Sequence, residues 1–268
     1  EIGISQAYQA WACDREPEGS MNPVLLKPKG NGSCQIMLSG RPYGDLGRGQ
    51  IADREVLWET VRSSFRHLLE TNDVVVIEGS GSPAEINLRK QDLANMRTAE
   101  IARAPCILVV NMEWGGAFAY AYGTIMLLPP EQRKMFKGIV LNNMRGDPSG
   151  LKEGVEELEE RLGIPVLGIV PHAEHLLPDE DSQDLVKTRG AGDLKVGVIM
   201  LPRISNFTDL DALALEGVRV VYIREPRSLE SVDAVIVPGT KNTVGDLKWL
   251  HERGLFDAIR GLRGKVPI

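Results

Sequence analysis

The chain has 268 residues, of which 43% are hydrophobic, 25% are charged and 5% are aromatic, and it contains 28 glycines. This length fits one large domain or two smaller ones, each with a real core. Abundant glycine with few aromatics favours strand-turn-helix units over an aromatic-rich β-sandwich. A formal net charge of −6 argues against a broad binding surface for nucleic acid or for an anionic membrane.

Cysteine usage and hydropathy narrow the class of protein further. Cys13, Cys34 and Cys106 are odd in number and form no CxxC pair, so we expect reduced thiols rather than disulfides or a zinc site. No apolar run approaches the roughly 20 residues needed to cross a bilayer, and no secretory signal pattern opens the chain. We therefore expect a cytoplasmic protein. Because residue 1 is Glu rather than Met and an apolar run starts near Val266, we expect both ends to continue in a longer protein.

Short runs rich in valine and isoleucine predict strands at residues 73–77, 106–110, 138–141 and 166–170. Their apolarity is continuous rather than alternating, which is typical of strands covered on both faces of a parallel sheet. Apolar residues at three- and four-residue spacing, Val56 and Leu69 among them, predict an amphipathic helix over 51–69 whose apolar stripe faces the sheet. The same spacing predicts a helix over 151–162, which Gly163 ends. This alternation predicts an α/β domain.

A polar stretch at 177–193 has no apolar period and predicts a connection between two domains, which we place at 1–192 and 193–268. The strand pattern then restarts, at residues 195–201, 218–223 and 233–237. The second domain should therefore also be α/β.

The predicted strand 73–77 ends at Glu78 and Gly79 and runs into a loop of small residues. Ligands of open α/β sheets bind beyond the carboxyl ends of the strands, so Glu78 should stand at the mouth of a site. There its carboxylate could hold Mg²⁺, while small residues let the backbone approach a phosphate. The alternative, a strand-end acid beside a flexible turn, stays open.

A second candidate follows the strand at 138–141, where the chain reads Asn-Asn-Met-Arg from Asn142 to Arg145. An amide both donates and accepts hydrogen bonds, as the edge of an adenine requires, and Arg145 could pair with a phosphate. In the alternative, the asparagines satisfy local backbone groups and Arg145 bridges Asp147. The Gly115-Gly116 turn could open a helix close to a ligand, but an ordinary turn explains it as well.

Other chemistries are weakly marked or missing. Lys27 lies between Pro23 and Pro28, where a stiffened segment could present its ammonium to an anionic substrate or simply to water. GxxxxGK[ST], HExxH and GxSxG do not occur, so neither a phosphate-binding loop of that type nor those hydrolytic sites is indicated. His172 and His175 are expected to be surface or capping residues.

In combination, several motifs resemble those of the cobyric acid synthase family, in order EIGISQAYQA, MNPVLLKP, VVVIEGSGSPAEINL, NNMRGD, GIPVLGIVP, PRISNFTDLDAL and VPGTKNTVGDLKWL. The resemblance covers nearly the whole chain. It implies a dethiobiotin-synthetase-like nucleotide-binding domain with a parallel sheet, followed by the start of a class I-like glutamine amidotransferase domain.

The resemblance also implies a reaction, that of a carbon-nitrogen ligase with glutamine as amide donor. Four carboxylates (b, d, e and g) of the corrinoid adenosylcobyrinic acid a,c-diamide become amides, with ATP and Mg²⁺ as cofactors and no tightly bound prosthetic group. A carboxylate is a poor electrophile, so phosphorylation must supply a leaving group while cations offset the developing charge. A homodimer is left open.

Site residues carry over by motif only. The residues expected to contact the nucleotide are Glu78, Gly79, Asn142 and Arg145, and Glu78 is also expected to lie near Mg²⁺. Substrate-side or phosphate-side roles fall to Gln6, Lys27, Glu85 and Asn87. The glutaminase pattern is matched by Asn206, Asp209, Gly239, Lys241 and Asn242, where the Gly239 turn would help to build an oxyanion region. The nucleophilic cysteine and the base histidine are expected beyond Ile268, so this chain by itself should not hydrolyse glutamine.

Departures from the family keep alternatives open. The family opens with a phosphate-binding loop that would precede Glu1. Asn111, Glu113 and Trp114 replace its usual residues before the Gly115-Gly116 turn, and Asn143 stands where a basic residue is common, which weakens the case for phosphate or metal contacts there. The alternatives are an a,c-diamide synthase of the same superfamily, which the SPAEINL run disfavours, a partition-ATPase-like switch, which lacks a glutaminase half, and a non-catalytic corrinoid-binding remnant.

Overall fold

The computed structural model of the chain describes all residues except 31–32, 48–52, 114, 174–189, 191 and 206. Over the described residues, one antiparallel and two parallel sheets of three strands follow one another along the chain. The predicted α/β class is therefore confirmed.

An antiparallel sheet that the sequence analysis did not predict lies near the N-terminus. Helix α1 (Ile4–Ala12) precedes β1 (Val24–Gly30), β2 (Ser33–Leu38) and β3 (Arg41–Leu46), which pair in that order. Pro28 is tolerated because β1 is an edge strand. Ser39 and Gly40, both with positive φ, form the two-residue turn that joins β2 to β3.

Helix α2 (Arg54–Thr71) corresponds to the helix predicted at 51–69. Asp53 caps it, because its side-chain oxygen accepts hydrogen bonds from the amides of Glu55 and Val56. Its partner differs from the expectation, since the strand that α2 chiefly contacts is β1 of the antiparallel sheet. Val56 and Leu69 of the predicted apolar stripe are accordingly exposed.

The first parallel sheet contains β4 (Cys106–Asn111), β5 (Phe136–Met144) and β6 (Val166–Pro171), with β5 in the centre. The helices around it are α3 (Met96–Ala102), α4 (Ala117–Leu127), α5 (Pro130–Arg133) and α6 (Lys152–Leu162). Side chains of α4 and α6 pack with Ile139 and Leu141 of β5 in one core. Gly163 ends α6 with φ +64°, as predicted.

The strand predicted at 73–77 is wrong. These residues form no strand, and no described backbone hydrogen bond joins them to a neighbour. Val76 is 90% exposed, and Ile107 and Val109 on β4 are 54% and 59% exposed. Among the described residues this side of β4 therefore lacks the expected cover. Continuous apolarity identifies a segment that favours burial, but only a neighbouring element can bury it.

The second parallel sheet contains β7 (Lys195–Ile199), β8 (Arg219–Ile223) and β9 (Ala234–Ile236), with β7 in the centre. The helices are α7 (Asp211–Leu215), α8 (Thr243–Glu252) and α9 (Leu255–Gly261). Val198 and Ile199 belong to separate cores and are both fully buried, so β7 is covered on both faces. The predicted linker at 177–193 falls mostly outside the described residues.

Candidate functional site

The carboxyl ends of β4, β5 and β6 lie along one edge of the first parallel sheet. Polar side chains at this edge are joined by hydrogen bonds, and we call them the first-edge network: Asn111, Glu113, Asn143, Arg145 and His172. This is the edge at which open α/β sheets bind their ligands.

Glu113 is the centre of the first-edge network. Its two carboxylate oxygens accept hydrogen bonds from Asn143 Nδ2 and from Arg145 Nη2, both at 3.1 Å. Asn143 Oδ1 lies 2.6 Å from His172 Nδ1. Because an amide oxygen only accepts, His172 Nδ1 carries a proton, and Nε2 is the acceptor when the ring is neutral. Asn143 has φ +64°, a conformation in which asparagine is favoured among non-glycine residues.

Two predicted nucleotide residues lie at this edge. The Asn142 side chain is half-buried and makes no hydrogen bond to any described residue, so both its donor and its acceptor are available. Arg145 pairs with Glu113, so the alternative that it bridges Asp147 is wrong. Asp147 instead accepts hydrogen bonds from the Ser149 hydroxyl and amide, which lower the pKa of Asp147.

The Glu78 loop is held by residues that the sequence analysis missed. Gln9 Nε2, not Gln6, donates to Glu78 Oε2 at 2.6 Å. Asn95 bonds both the amide and the carbonyl of Ser80, at 3.1 and 2.8 Å. A β-carbon at Gly79 would lie 2.3 Å from Asn95 Oδ1, so a larger residue there would force the Asn95 side chain to shift. No local motif signals a partner 15 residues further along the chain.

The structure does not join the two nucleotide-side groups. No hydrogen bond or ion pair among the described residues links Glu78 to Asn142 or to Arg145. Within the same part of the chain, no three His, Cys, Asp or Glu side chains are grouped as metal ligands. Glu78 would therefore supply a single carboxylate rather than a closed protein cage.

The four predicted substrate-side residues are also not joined to one another by any described contact. Lys27 Nζ lies 2.5 Å from Glu1 Oε1, and this hydrogen bond holds the pKa of Glu1 below its usual value. Gln6 packs its amide against Gly3. Glu85 and Asn87 are exposed in the loop before α3.

A second candidate site lies at the carboxyl ends of β7 and β9. The loops that follow these strands, at 200–205 and 237–242, are joined by backbone hydrogen bonds. Ser205 N donates to Gly239 O and Lys241 N donates to Arg203 O, both at 2.9 Å. Two residues of the predicted glutaminase pattern, Gly239 and Lys241, are thus held by the opposite loop.

A buried carboxylate that the sequence analysis missed connects the same loops. We call Arg203, Thr240 and Asp246 the Asp246 clamp. Asp246 is 1% exposed; its Oδ2 accepts from Arg203 N at 3.2 Å and from Thr240 Oγ1 at 2.5 Å, and its Oδ1 accepts from Arg203 Nη1 at 3.1 Å. An acid in the first turn of α8 was visible in the sequence and typical of helix starts, but its burial was not.

The other predicted glutaminase residues have distinct positions. Asn242 caps α8, because its side-chain Oδ1 accepts a hydrogen bond from Gly245 N at 2.9 Å. The backbone N–H of Asn242 donates to Thr240 Oγ1. Asp209 is exposed in the short helical turn Phe207–Leu210, and Asn206 lies outside the described residues. A cavity of about 530 Å³ opens beside the first loop, lined by Met200, Leu201, Pro202, Ile204, Arg224, Glu225, Trp249 and Arg253.

The apolar run near Val266 lies beside β9. Val235 N of β9 donates to Pro267 O at 2.9 Å, and Arg263 and Val266 form a parallel bridge. Among the described residues, Pro267 is thus hydrogen-bonded to β9, the strand that leads to the loop containing Gly239.

Two family models match different parts of the chain. The family described as "AAA domain" matches residues 45–180, and the family described as "CobB/CobQ-like glutamine amidotransferase domain" matches residues 195–268. The chain belongs to the AAA domain family. The start of the second family at residue 195 coincides with the start of β7.

Curated relatives confirm the resemblance to cobyric acid synthase. Over 97% of its length the chain is 47% identical to the cobyric acid synthase of Nostoc sp.. Over its whole length it is 47% identical to the probable cobyric acid synthase of Methanothermobacter thermautotrophicus. The chain spans about half the length of these relatives, 54% of each. No solved structure matches the chain, and no described helix is long and apolar enough to cross a membrane.

Proposed function

We propose that the chain is the central part of an ATP- and glutamine-dependent amide ligase, which amidates the b, d, e and g carboxylates of adenosylcobyrinic acid a,c-diamide to give adenosylcobyric acid. One observation carries this proposal: an AAA domain and a glutamine amidotransferase domain follow each other in one chain with 47% identity to a cobyric acid synthase. The alternative, an a,c-diamide synthase, shares this architecture but would amidate an earlier corrinoid.

At the first parallel sheet, ATP would bind beside the carboxyl ends of β4 and β5. The free amide of Asn142 can pair with both the donor and the acceptor of an adenine edge. Arg145 is 57% exposed, so its guanidinium can reach a phosphate while it keeps one hydrogen bond to Glu113. Gly79 has no β-carbon, so the backbone amides of its loop can approach a second phosphate.

Mg²⁺ is compatible with Glu78 as its protein ligand. The carboxylate is exposed, and the described contacts occupy only one of its oxygens, Oε2. Mg²⁺ bound with nucleotides commonly takes one or two protein carboxylates and completes its shell with phosphates and water. When bound, the ion would offset negative charge on the transferred phosphoryl group.

The chemistry has two halves. In the first, a corrinoid carboxylate oxygen attacks the γ-phosphorus of ATP and ADP leaves, which gives an acyl phosphate. In the second, ammonia from glutamine attacks the acyl carbon and inorganic phosphate leaves, so that an amide remains. Gln6, Lys27, Glu85 and Asn87 are proposed on the corrinoid or phosphate side. Lys27 would exchange its Glu1 partner for an anionic group.

Glutamine hydrolysis is proposed at the second parallel sheet. Asp209, Gly239, Lys241 and Asn242 would line this site, and Asn206 is proposed as a member of the same glutaminase pattern. The nucleophilic cysteine is proposed beyond Ile268, and the hydrogen bond from Val235 N of β9 to Pro267 O brings this segment beside the strand that leads to the Gly239 loop. The Gly239 turn would then contribute to the oxyanion region.

The proposal is tested with a protein that contains this chain and the regions on either side that its relatives possess. We expect it to form amides from the a,c-diamide with ATP and glutamine, as measured by mass spectrometry. Glu78→Gln should lower the rate by about a hundredfold or more, because a ligand of the cation is lost. Glu131→Gln, at an exposed acid of α5, is the control and should not change the rate. Absence of amide product with glutamine and with ammonia would refute the proposed ligase.

A further inference from the structure

The Asp246 clamp contains a buried charge that the proposed reaction does not use. Asp246 lies in the first turn of α8, and its three donors come from two other segments of the chain. A carboxylate is costly to bury unless its oxygens are satisfied, so this arrangement is unfavourable without its partners. We propose that Asp246 is a positioning residue, which fixes the loops 200–205 and 237–242 in the geometry needed for glutamine hydrolysis. This inference rests on the proposed function.

The chemistry of the three donors requires a carboxylate. Arg203 N and Arg203 Nη1 can only donate, and they approach different oxygens of Asp246. An asparagine of the same shape would turn its Nδ2 group toward one of these donors. At least one hydrogen bond would then be replaced by a donor facing a donor. The isosteric substitution Asp246→Asn therefore tests the charge and the acceptors without removing volume.

The clamp acts close to the predicted glutamine site without reaching it. Thr240, which donates to Asp246, stands between Gly239 and Lys241 in the chain. Arg203 uses its carbonyl to accept from Lys241 N. One buried side chain thus sets the backbone on both sides of Thr240. A shift of a fraction of an ångström at Gly239 would misplace an oxyanion donor, to which catalysis is sensitive.

Thr240 offers the cleanest variants, because its hydroxyl both donates to Asp246 and accepts from Asn242 N. Thr240→Val keeps the shape but loses both hydrogen bonds, whereas Thr240→Ser keeps the hydroxyl. The control is Asp257→Asn, since Asp257 also lies in the first turn of a helix, α9, but is exposed.

The first measurement uses the chain itself. In native-state hydrogen exchange we expect the amides of Ser205 and Lys241 to exchange about tenfold faster or more in Thr240→Val and Asp246→Asn. Thr240→Ser and Asp257→Asn should match the unsubstituted chain. Unchanged protection of both amides in Asp246→Asn and Thr240→Val would overturn the positioning role.

The second measurement uses the longer protein described above. We expect Thr240→Val and Asp246→Asn to lower kcat for glutamine hydrolysis about tenfold or more, while Thr240→Ser restores it and ammonia-dependent amidation stays unchanged. A purely structural role would lower the amount of folded protein but leave kcat per folded molecule intact, and that result would overturn the proposal. If the unsubstituted protein lacks glutaminase activity, the proposed function fails with the catalytic role, while hydrogen exchange still decides whether Asp246 holds the loops.

Discussion

Two ion pairs of equal length lie at the edges of the two parallel sheets. The Glu113–Arg145 and Asp246–Arg203 pairs both have an N to O distance of 3.1 Å. The side chains of the first are 39% and 57% exposed, and those of the second are 1% and 28% exposed. Because water screens its charges, an exposed ion pair contributes about 0–1 kcal/mol to the stability of the fold. Loss of one partner of a buried pair lowers that stability by about 3–5 kcal/mol. Burial, rather than distance, therefore separates an adjustable site from a fixed one.

The sheets themselves show the same contrast. β7 is covered on both faces, whereas β4 presents Ile107 and Val109 to solvent among the described residues. The first-edge network can exchange its partners for ligand groups with little reorganisation of a core. The loops of the second site are held by the buried carboxylate of Asp246, which water can reach only when the surrounding fold opens.

The largest expected effect tests the two sheets directly. Val198→Asp in β7 places a charge in a fully buried position and should destabilise the second parallel sheet by more than about 4 kcal/mol. Val109→Asp in β4 makes the same change at an exposed position and should cost less than about 1 kcal/mol. Hydrogen exchange of amides in β5 and β7 measures both. Equal costs would break the comparison.

The ion pairs give the next effect. Asp246→Ala should lower the free energy of unfolding of the second sheet by about 3 kcal/mol, because Arg203 loses its buried acceptor. Glu113→Ala should change that of the first sheet by no more than about 1 kcal/mol. Urea unfolding, monitored by hydrogen exchange of amides in each sheet, measures the two changes in stability separately. A larger loss of stability in Glu113→Ala than in Asp246→Ala would contradict the ranking by burial.

A smaller effect is expected where the Asn95 side chain holds the Glu78 loop. Asn95→Ala removes two exposed hydrogen bonds to Ser80, so the Ser80 amide should exchange faster while global stability falls by about 1 kcal/mol or less. Asn87→Ala, in the exposed part of the same loop, is the matched control for this exchange measurement. Slow exchange of Ser80 in Asn95→Ala would show that the loop needs no clamp.

The smallest effect concerns the Lys27–Glu1 pair and depends on pH. The pKa of Glu1 is lowered in the folded chain, chiefly by the hydrogen bond from Lys27. The pair therefore stabilises the fold above the ordinary pKa of a glutamate, and this contribution is lost as the pH falls through the lowered value. Lys27→Met should cost less than about 0.5 kcal/mol near neutral pH and nothing measurable near pH 3 by thermal unfolding. A constant difference between these pH values would exclude this pair as its source.

Local patterns predicted the strands of both parallel sheets and helix α6, whereas the strand predicted at residues 73–77 is absent. Gly163 ends α6 because only a residue free of a β-carbon adopts φ +64° at no cost, and that requirement is visible in the sequence. Residues 73–77 have the same apolar pattern as β4, yet they pair with no described strand. A pattern of period and composition reports a preference for burial, not the presence of a partner.

The site residues also divide into those that the sequence predicted and those that only the tertiary structure identified. The family motifs and the strand ends pointed to Glu78, Asn142 and Gly239, because ligands of parallel sheets gather beyond the carboxyl ends of strands. The partners Asn95 and Asp246 were missed, since they act across 15 and 43 residues of chain, between Asn95 and Ser80 and between Asp246 and Arg203. Contacts at such separation depend on how the loops pack.

By itself, the sequence determined the α/β class, the strands of the two parallel sheets in their order along the chain, and the resemblance to cobyric acid synthases. These follow from local apolar periods, helix ends and contiguous motifs, which are properties of neighbouring residues. The tertiary structure alone decided that the carboxylate of Asp246 is buried while that of Glu113 is exposed, and that β4 is covered on one face only. Burial and pairing depend on elements distant in sequence, so no local pattern encodes them.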